Sequence, residues 1–155
     1  MTQLTEENRS VIGDIVKRSA ARSPKDTAIV FQDRTWTYSQ LDQAVTNIAR
    51  LFVEHGLEKG DRVAAYSKNS DIFAIVFLAC ARAGLIHVPV NYQLTKDELD
   101  YILSDSDPKL ILAEEALMPF IEETEAGQKR ERMLMESLVE PALKVDGPAR
   151  DGEFS

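Results

Sequence analysis

Residues 60–91 read GDRVAAYSKNSDIFAIVFLACARAGLIHVPVN, and this stretch decides the fold. After the Lys59-Gly60-Asp61 turn, Val63, Ala64 and Ala65 run apolar without alternation, which predicts a strand over residues 62–67 covered on both faces. Residues 70–83 then predict a helix stopped by Gly84. Its segment 72–81 is apolar nearly all round and has to be covered on most sides. Residues 86–90 predict a second strand. Two strands joined through a helix lie parallel, with a right-handed crossover.

Working outward toward the C-terminus, residues 96–104 predict another helix. Thr95 and Glu98 have the spacing of a capping box, and Leu94 and Leu99 that of a hydrophobic staple. A third apolar run, residues 110–113, completes strand–helix–strand–helix–strand. Toward the N-terminus, Leu41, Ala44, Val45, Ile48, Leu51 and Phe52 form one helical stripe. Thr37 or Ser39 caps it, and Gly56 follows as a left-handed stop. Residues 27–32 and 35–38 predict a β-hairpin across Asp33-Arg34. A first helix is expected near residues 11–22, capped by Ser10 and stopped by Pro24.

The end of the sequence changes character. Glu122, Glu123, Glu125, Lys129, Arg130, Glu131 and Arg132 form a dense charge run. Met133, Met135, Leu138 and Val139 are spaced for one amphipathic helix, and Asp146-Gly147-Pro148 and Arg150-Asp151-Gly152 are turn chemistry. Residues 122–155 are expected to pack less well than residues 11–113. The reading is an α/β chain: an N-terminal hairpin plus a three-strand, mostly parallel βαβαβ sheet with flanking helices. Residues 1–115 form the α/β portion and residues 116–155 a helical or linker tail.

The 155 residues suit one domain, and 44% hydrophobic with 28% charged residues is the balance of an ordinary globular chain. A net charge of −8 argues against nucleic-acid or anionic-lipid partners, which require clustered Lys and Arg. The polar, acidic residues 1–10 show no signal peptide, and no apolar run is long enough to span a bilayer. The single Cys80 reads as a small buried thiol. A cytoplasmic setting is expected.

The seven glycines fit neither G-x-G-x-x-G nor a P-loop. His55 reads as a dipole partner at a helix end, and His87 as hydrogen-bonded at the end of a strand. Asp97, Glu98 and Asp100 suit a helix start, and Asp105 and Asp107 a turn before Pro108. Lys68 and Arg82 are isolated cations, one by a loop and one at a helix end. No catalytic, cofactor-binding or metal-ligating residue is assigned.

Two stretches carry a resemblance. TAIVFQDRTWTYSQLDQAV, centred on Thr37-Tyr38-Ser39-Gln40-Leu41, resembles the first core motif of adenylate-forming (AMP-binding) enzymes, with Gln40 where Glu is usual. Residues 60–91, with Ala83-Gly84 and Val88-Pro89-Val90-Asn91, resemble the second, and LTKDELDYILSDSDPKLILAEE continues the match over roughly residues 11–115. Within that family the chain looks most like a fatty-acyl or related acyl-CoA synthetase.

The resemblance implies a fragment of a larger adenylate-forming domain. The full-length family enzyme uses ATP, Mg²⁺ and CoA: it activates a carboxylic acid as an acyl-adenylate, then forms the thioester. It further implies a phosphate loop a little beyond Ser155, so the fragment alone is expected to be inert and to need no cofactor of its own. Tyr38, Gly84 and Pro89 are given structural roles. The expected partners are the remainder of its own domain or a second copy. The alternative is a stand-alone interaction or regulatory module that kept this fold.

Overall fold

The computed structural model describes residues 15–155. Of the expected first helix, residues 15–22 are helical (α1), and the Ser10 cap lies outside the described residues. Strands β1 (Thr27–Phe31) and β2 (Arg34–Thr37) form the antiparallel hairpin, turning at Gln32, which takes a positive φ of 52°.

Helix α2 (Tyr38–Glu54) begins in a complete capping box: the Gln40 N–H donates to Thr37 Oγ1 and the Thr37 N–H to Gln40 Oε1. Gln serves in this box as Glu would, since either side chain ends in the carbonyl-type oxygen that the cap requires. At its other end His55 is the C-cap, its Nδ1 3.2 Å from the Leu51 carbonyl.

The four-stranded sheet comprises β3 (Arg62–Tyr66), β4 (Ile86–Pro89), β5 (Leu110–Ala113) and β6 (Glu131–Leu134), in the order β4-β3-β5-β6 and parallel throughout. Helix α3 (Asp71–Ala83) crosses from β3 to β4, and α4 (Lys96–Ser106) from β4 to β5. The start signal expected for α4 holds, and α3 gains a cap that the sequence reading did not name. Ser70 caps α3, and Thr95 with Glu98 forms the capping box of α4 over a fully buried Leu99. Gly84 ends α3 at φ +75°, a conformation that a side chain resists.

The strand count corrects the three-strand expectation. Glu131–Leu134, placed by its charges in a helical or linker stretch, pairs in register with β5 as a fourth strand. An edge strand leaves much of its surface to water, so Glu131 and Arg132 stand exposed while the backbone completes the ladder. The single amphipathic helix expected from Met133 onward is instead this strand's end, a 3₁₀ turn (Met135–Leu138) and a short helix α7 (Val139–Ala142).

Side chains alternate across the sheet. Val63, Ala65, Leu110 and Leu112 meet α2, α3 and the Met135–Ala142 segment, where Met135, Leu138 and Ala142 are buried. Ala64, Tyr66, Ile111 and Ala113 meet α4 and two short helices, α5 (Met118–Glu122) and α6 (Glu125–Gln128). Part of the stretch expected to pack loosely therefore sits in the core. Gly127 marks how tightly: a Cβ there would press on the Ile121 carbonyl oxygen and stand 2.6 Å from Thr124 Oγ1.

The hairpin is tied to α3 by a buried carboxylate. Asp71 accepts from Arg34 Nε and Nη2 at 2.7 and 2.9 Å, from Trp36 Nε1 at 2.8 Å, and from the Ile72 N–H at 2.8 Å. Burial alone would push its carboxyl up; these bonds outweigh burial and hold it below the usual carboxylate range.

Candidate functional site at the carboxyl rim

After β3 the chain turns onto one face of the sheet, and after β5 onto the other. The carboxyl ends of β3 and β5 therefore border the point where the winding reverses, where open α/β sheets hold their ligands. Two loops frame it. Ser67 Oγ donates to the Lys68 carbonyl at 2.9 Å and lies 3.4 Å from Glu114 Oε2. The Glu115 N–H donates to the Glu136 carboxylate at 2.8–3.0 Å.

Beside this junction a cavity of about 570 Å³ opens between the ends of β3 and β4, lined among others by Ser67, Lys68, Asn69, Phe73, Asn91 and Tyr92. The Lys68 ammonium lies 5.7 Å from the Tyr92 ring centroid. Tyr66 reaches the Tyr92 carbonyl through its hydroxyl at 3.4 Å, and burial pushes its phenol up. The rim thus offers one cation, two carboxamides and aromatic faces.

A nucleotide triphosphate asks for more. Phosphate is held by converging backbone N–H groups, usually freed by glycine, together with cations. Gly60 and Gly84 approach each other through the Gly60 N–H and the Gly84 carbonyl at the opposite, amino rim. The described carboxyl rim carries no glycine, so these residues do not by themselves fit ATP.

His87 corrects the sequence expectation. Its Nε2 is buried and has no hydrogen-bond partner. The ring instead meets Phe73 and Phe77 edge-on, each at 5.4 Å between centroids and 81° between planes. Burial pulls the imidazole's pKa below its ordinary value. The β4 edge beyond it is blunt. Ile86 and Val90 donate their N–H groups toward the β3 side, and Pro89 has no N–H to offer a further strand.

The other singled-out groups also take structural roles. Arg82 binds the Asp42 carboxylate and Thr46 Oγ1 on α2, both at 2.8 Å. Asp100 accepts from the Ala126 N–H, and Asp107 pairs with Arg130 at 2.8 Å. Cys80 is buried in α3, its thiol pushed up to about 12 by desolvation. Among the described residues no group of three or more His, Cys, Asp or Glu could hold a metal ion, and no helix is long and apolar enough to cross a membrane.

Sequence reading missed the polar stripe of α2. Gln43, Asn47 and Arg50 lie at i, i+4 and i+7, spacing that puts them on one face. In the structure all three engage residues 141–153.

Comparison with known proteins places this arrangement. Residues 16–151 match the family described as AMP-binding enzyme. The fatty acid–[acyl-carrier-protein] ligase ScoC of Streptomyces coeruleorubidus is 36% identical over 108 residues, 70% of this chain and 21% of that protein. A putative acyl-CoA synthetase, YngI, of Bacillus subtilis (strain 168) is 31% identical over 144 residues, 83% of this chain and 26% of that protein. Among solved structures, the N-terminal domain of FACL13 from Mycobacterium tuberculosis superposes with a TM-score of 0.78 at 29% identity, over 90% of this chain and 37% of that one. The chain thus spans about a fifth to a quarter of these curated relatives. A match running from α1 to the last turn, together with a shared backbone, means that the chain belongs to the AMP-binding enzyme family and corresponds to the N-terminal region of its adenylate-forming domain.

Proposed function

We propose that this chain is the scaffolding N-terminal part of an ATP-dependent acid–CoA ligase acting on a fatty or related carboxylic acid in the cytoplasm. A carboxylate is a poor electrophile until one of its oxygens is bonded to a phosphate leaving group; adenylation supplies that, and CoA's thiol then displaces AMP. In this reading the sheet, the hairpin and α2 hold the carboxyl rim in place, and the groups that grip the phosphates come from the remainder of the domain. The 155 residues alone are inert, because stabilising a transferring phosphate takes preorganised donors aimed at the developing charge. The remainder of the domain is the partner that completes the site, and a second copy is the partner when the chain is alone.

The observation that carries the reading is the family match over residues 16–151, with relatives named as acid ligases and acyl-CoA synthetases. ATP–pyrophosphate exchange tests it, run with a panel of fatty and aryl acids. The chain alone should show no exchange above a no-acid control. Joined to the downstream remainder of the Bacillus acyl-CoA synthetase, it should show acid-dependent exchange. Activity of the chain alone refutes its inertness; a folded chimera active with amino acids but with no fatty or aryl acid refutes the acid-ligase assignment.

A further inference from the structure

We propose that Gln43 and Arg50, braced by Asn47, form a latch on α2 that closes residues 146–155 over the domain as a strap. The three side chains capture main-chain carbonyls. Asn47 Nδ2 donates to the Pro141 and Lys144 carbonyls at 3.0 and 2.7 Å. Gln43 Nε2 and Arg50 Nη1 share the Gly147 carbonyl at 2.8 and 3.0 Å, and Arg50 Nη2 takes that of Pro148 at 2.9 Å. Gln43 Nε2 also donates to Asn47 Oδ1 at 2.8 Å, which fixes the Asn47 amide with its NH₂ toward the Pro141 and Lys144 carbonyls, just ahead of the strap.

One ion pair locks the far end. Arg50 grips the Glu153 carboxylate with Nε and Nη2 at 2.6 and 2.9 Å, a bidentate pair. The same carboxylate accepts from the Arg150 N–H at 3.0 Å. Arg50 holds the Glu153 carboxyl down at about 2, so both partners stay charged at ordinary pH. Next to Glu153, Phe154 packs against the main apolar cluster.

The strap is built to move as a unit. Its contacts with the latch are carbonyls and one carboxylate, so they do not depend on the side chains of residues 144–148. Val145, just before it, is 90% exposed, and Gly147 turns at φ +89°. Opening gives up the Gln43 and Arg50 contacts and Phe154 while the sheet keeps its packing, the pattern of a local rather than global transition. Arg50 has five donors in a planar fork, which an ammonium reproduces only in part.

Hydrogen exchange on the 155-residue chain tests the latch, with trypsin cleavage after Arg150 as a second reading. In Arg50→Met, exchange at the Arg150 and Glu153 amides should rise about ten- to a hundredfold, the loss expected for charge-assisted bonds, while amides of β3 and β5 stay unchanged. Cleavage after Arg150 should accelerate with it. Arg50→Lys should fall between. Glu153→Ala, a change at the strap's own end, gives the same local signature if Arg50→Met does not fold. Exchange in residues 146–155 unchanged within about twofold in Glu153→Ala overturns the proposal, as does acceleration spread equally over β3 and β5. Neither readout involves catalysis, so the latch and the acid-ligase reading fail separately.

Discussion

Asp71→Asn removes the charge from which the hairpin hangs and leaves the side-chain volume almost unchanged. The Asp71 side chain is 0% exposed and accepts from Arg34, Trp36 and the Ile72 N–H. A carboxamide keeps one acceptor oxygen, and its NH₂ must then face a donor. Breaking a buried ion pair from one side costs about 3–5 kcal/mol. Arg34 is 34% exposed, so its guanidinium turns to water and recovers part of this. Trp36 is 1% exposed and cannot; its orphaned indole N–H accounts for about 1–3 kcal/mol. The expected loss is about 3 kcal/mol, read as a fall of about 6–12 °C in Tm for a domain of this size.

Urea unfolding followed by tryptophan fluorescence is the assay, since Trp36 is the chain's one tryptophan and lies in the affected contact. Lys129→Ala is the internal control. Its pair with Glu125 is exposed on both sides and contributes less than about 0.5 kcal/mol. The pH dependence carries the same information. A carboxyl held below its usual range contributes stability that is present above its unfolded pKa and lost as pH falls through the folded value. Asp71→Asn should therefore flatten the acid side of the stability curve. A loss below about 1 kcal/mol with an unchanged m-value would refute the reasoning, because a buried charge with three kinds of donor cannot be that cheap to remove.

Two further outcomes are expected. His87 is held neutral by burial, so the unfolded chain takes up a proton more readily; stability should fall as pH drops from about 6.5 toward the lower folded value, and His87→Leu should abolish this slope in pH-dependent thermal melts. Cys80 should resist iodoacetamide at pH 8 in the native chain and react at once in urea, as mass spectrometry would show; rapid native labelling would mean that α3 opens.

Most of the fold was legible because local chemistry and burial agreed. The apolar run of β3, the Thr95–Glu98 box, the Gly84 stop and the α2 stripe each state an element and its limits, and the order of elements then leaves parallel pairing as the simplest connection. The strand Glu131–Leu134 was not legible, because an edge strand is held by backbone bonds that any sequence can make, and its charged side chains point to water.

The same division runs through the candidate sites. Sequence motifs identified the family, and the glycine spacing fits neither G-x-G-x-x-G nor a P-loop. Only the tertiary structure set His87 between two phenylalanines, gave Asp71 its donors from a hairpin 35 and 37 residues away, and laid residues 146–155 on Arg50. Each is a partnership between groups distant in sequence. A sequence written in order states the period of a helix and the chemistry of a cap, because those act over three or four residues. It does not state which buried carboxylate meets which guanidinium, because that is settled by how the whole chain closes on its core.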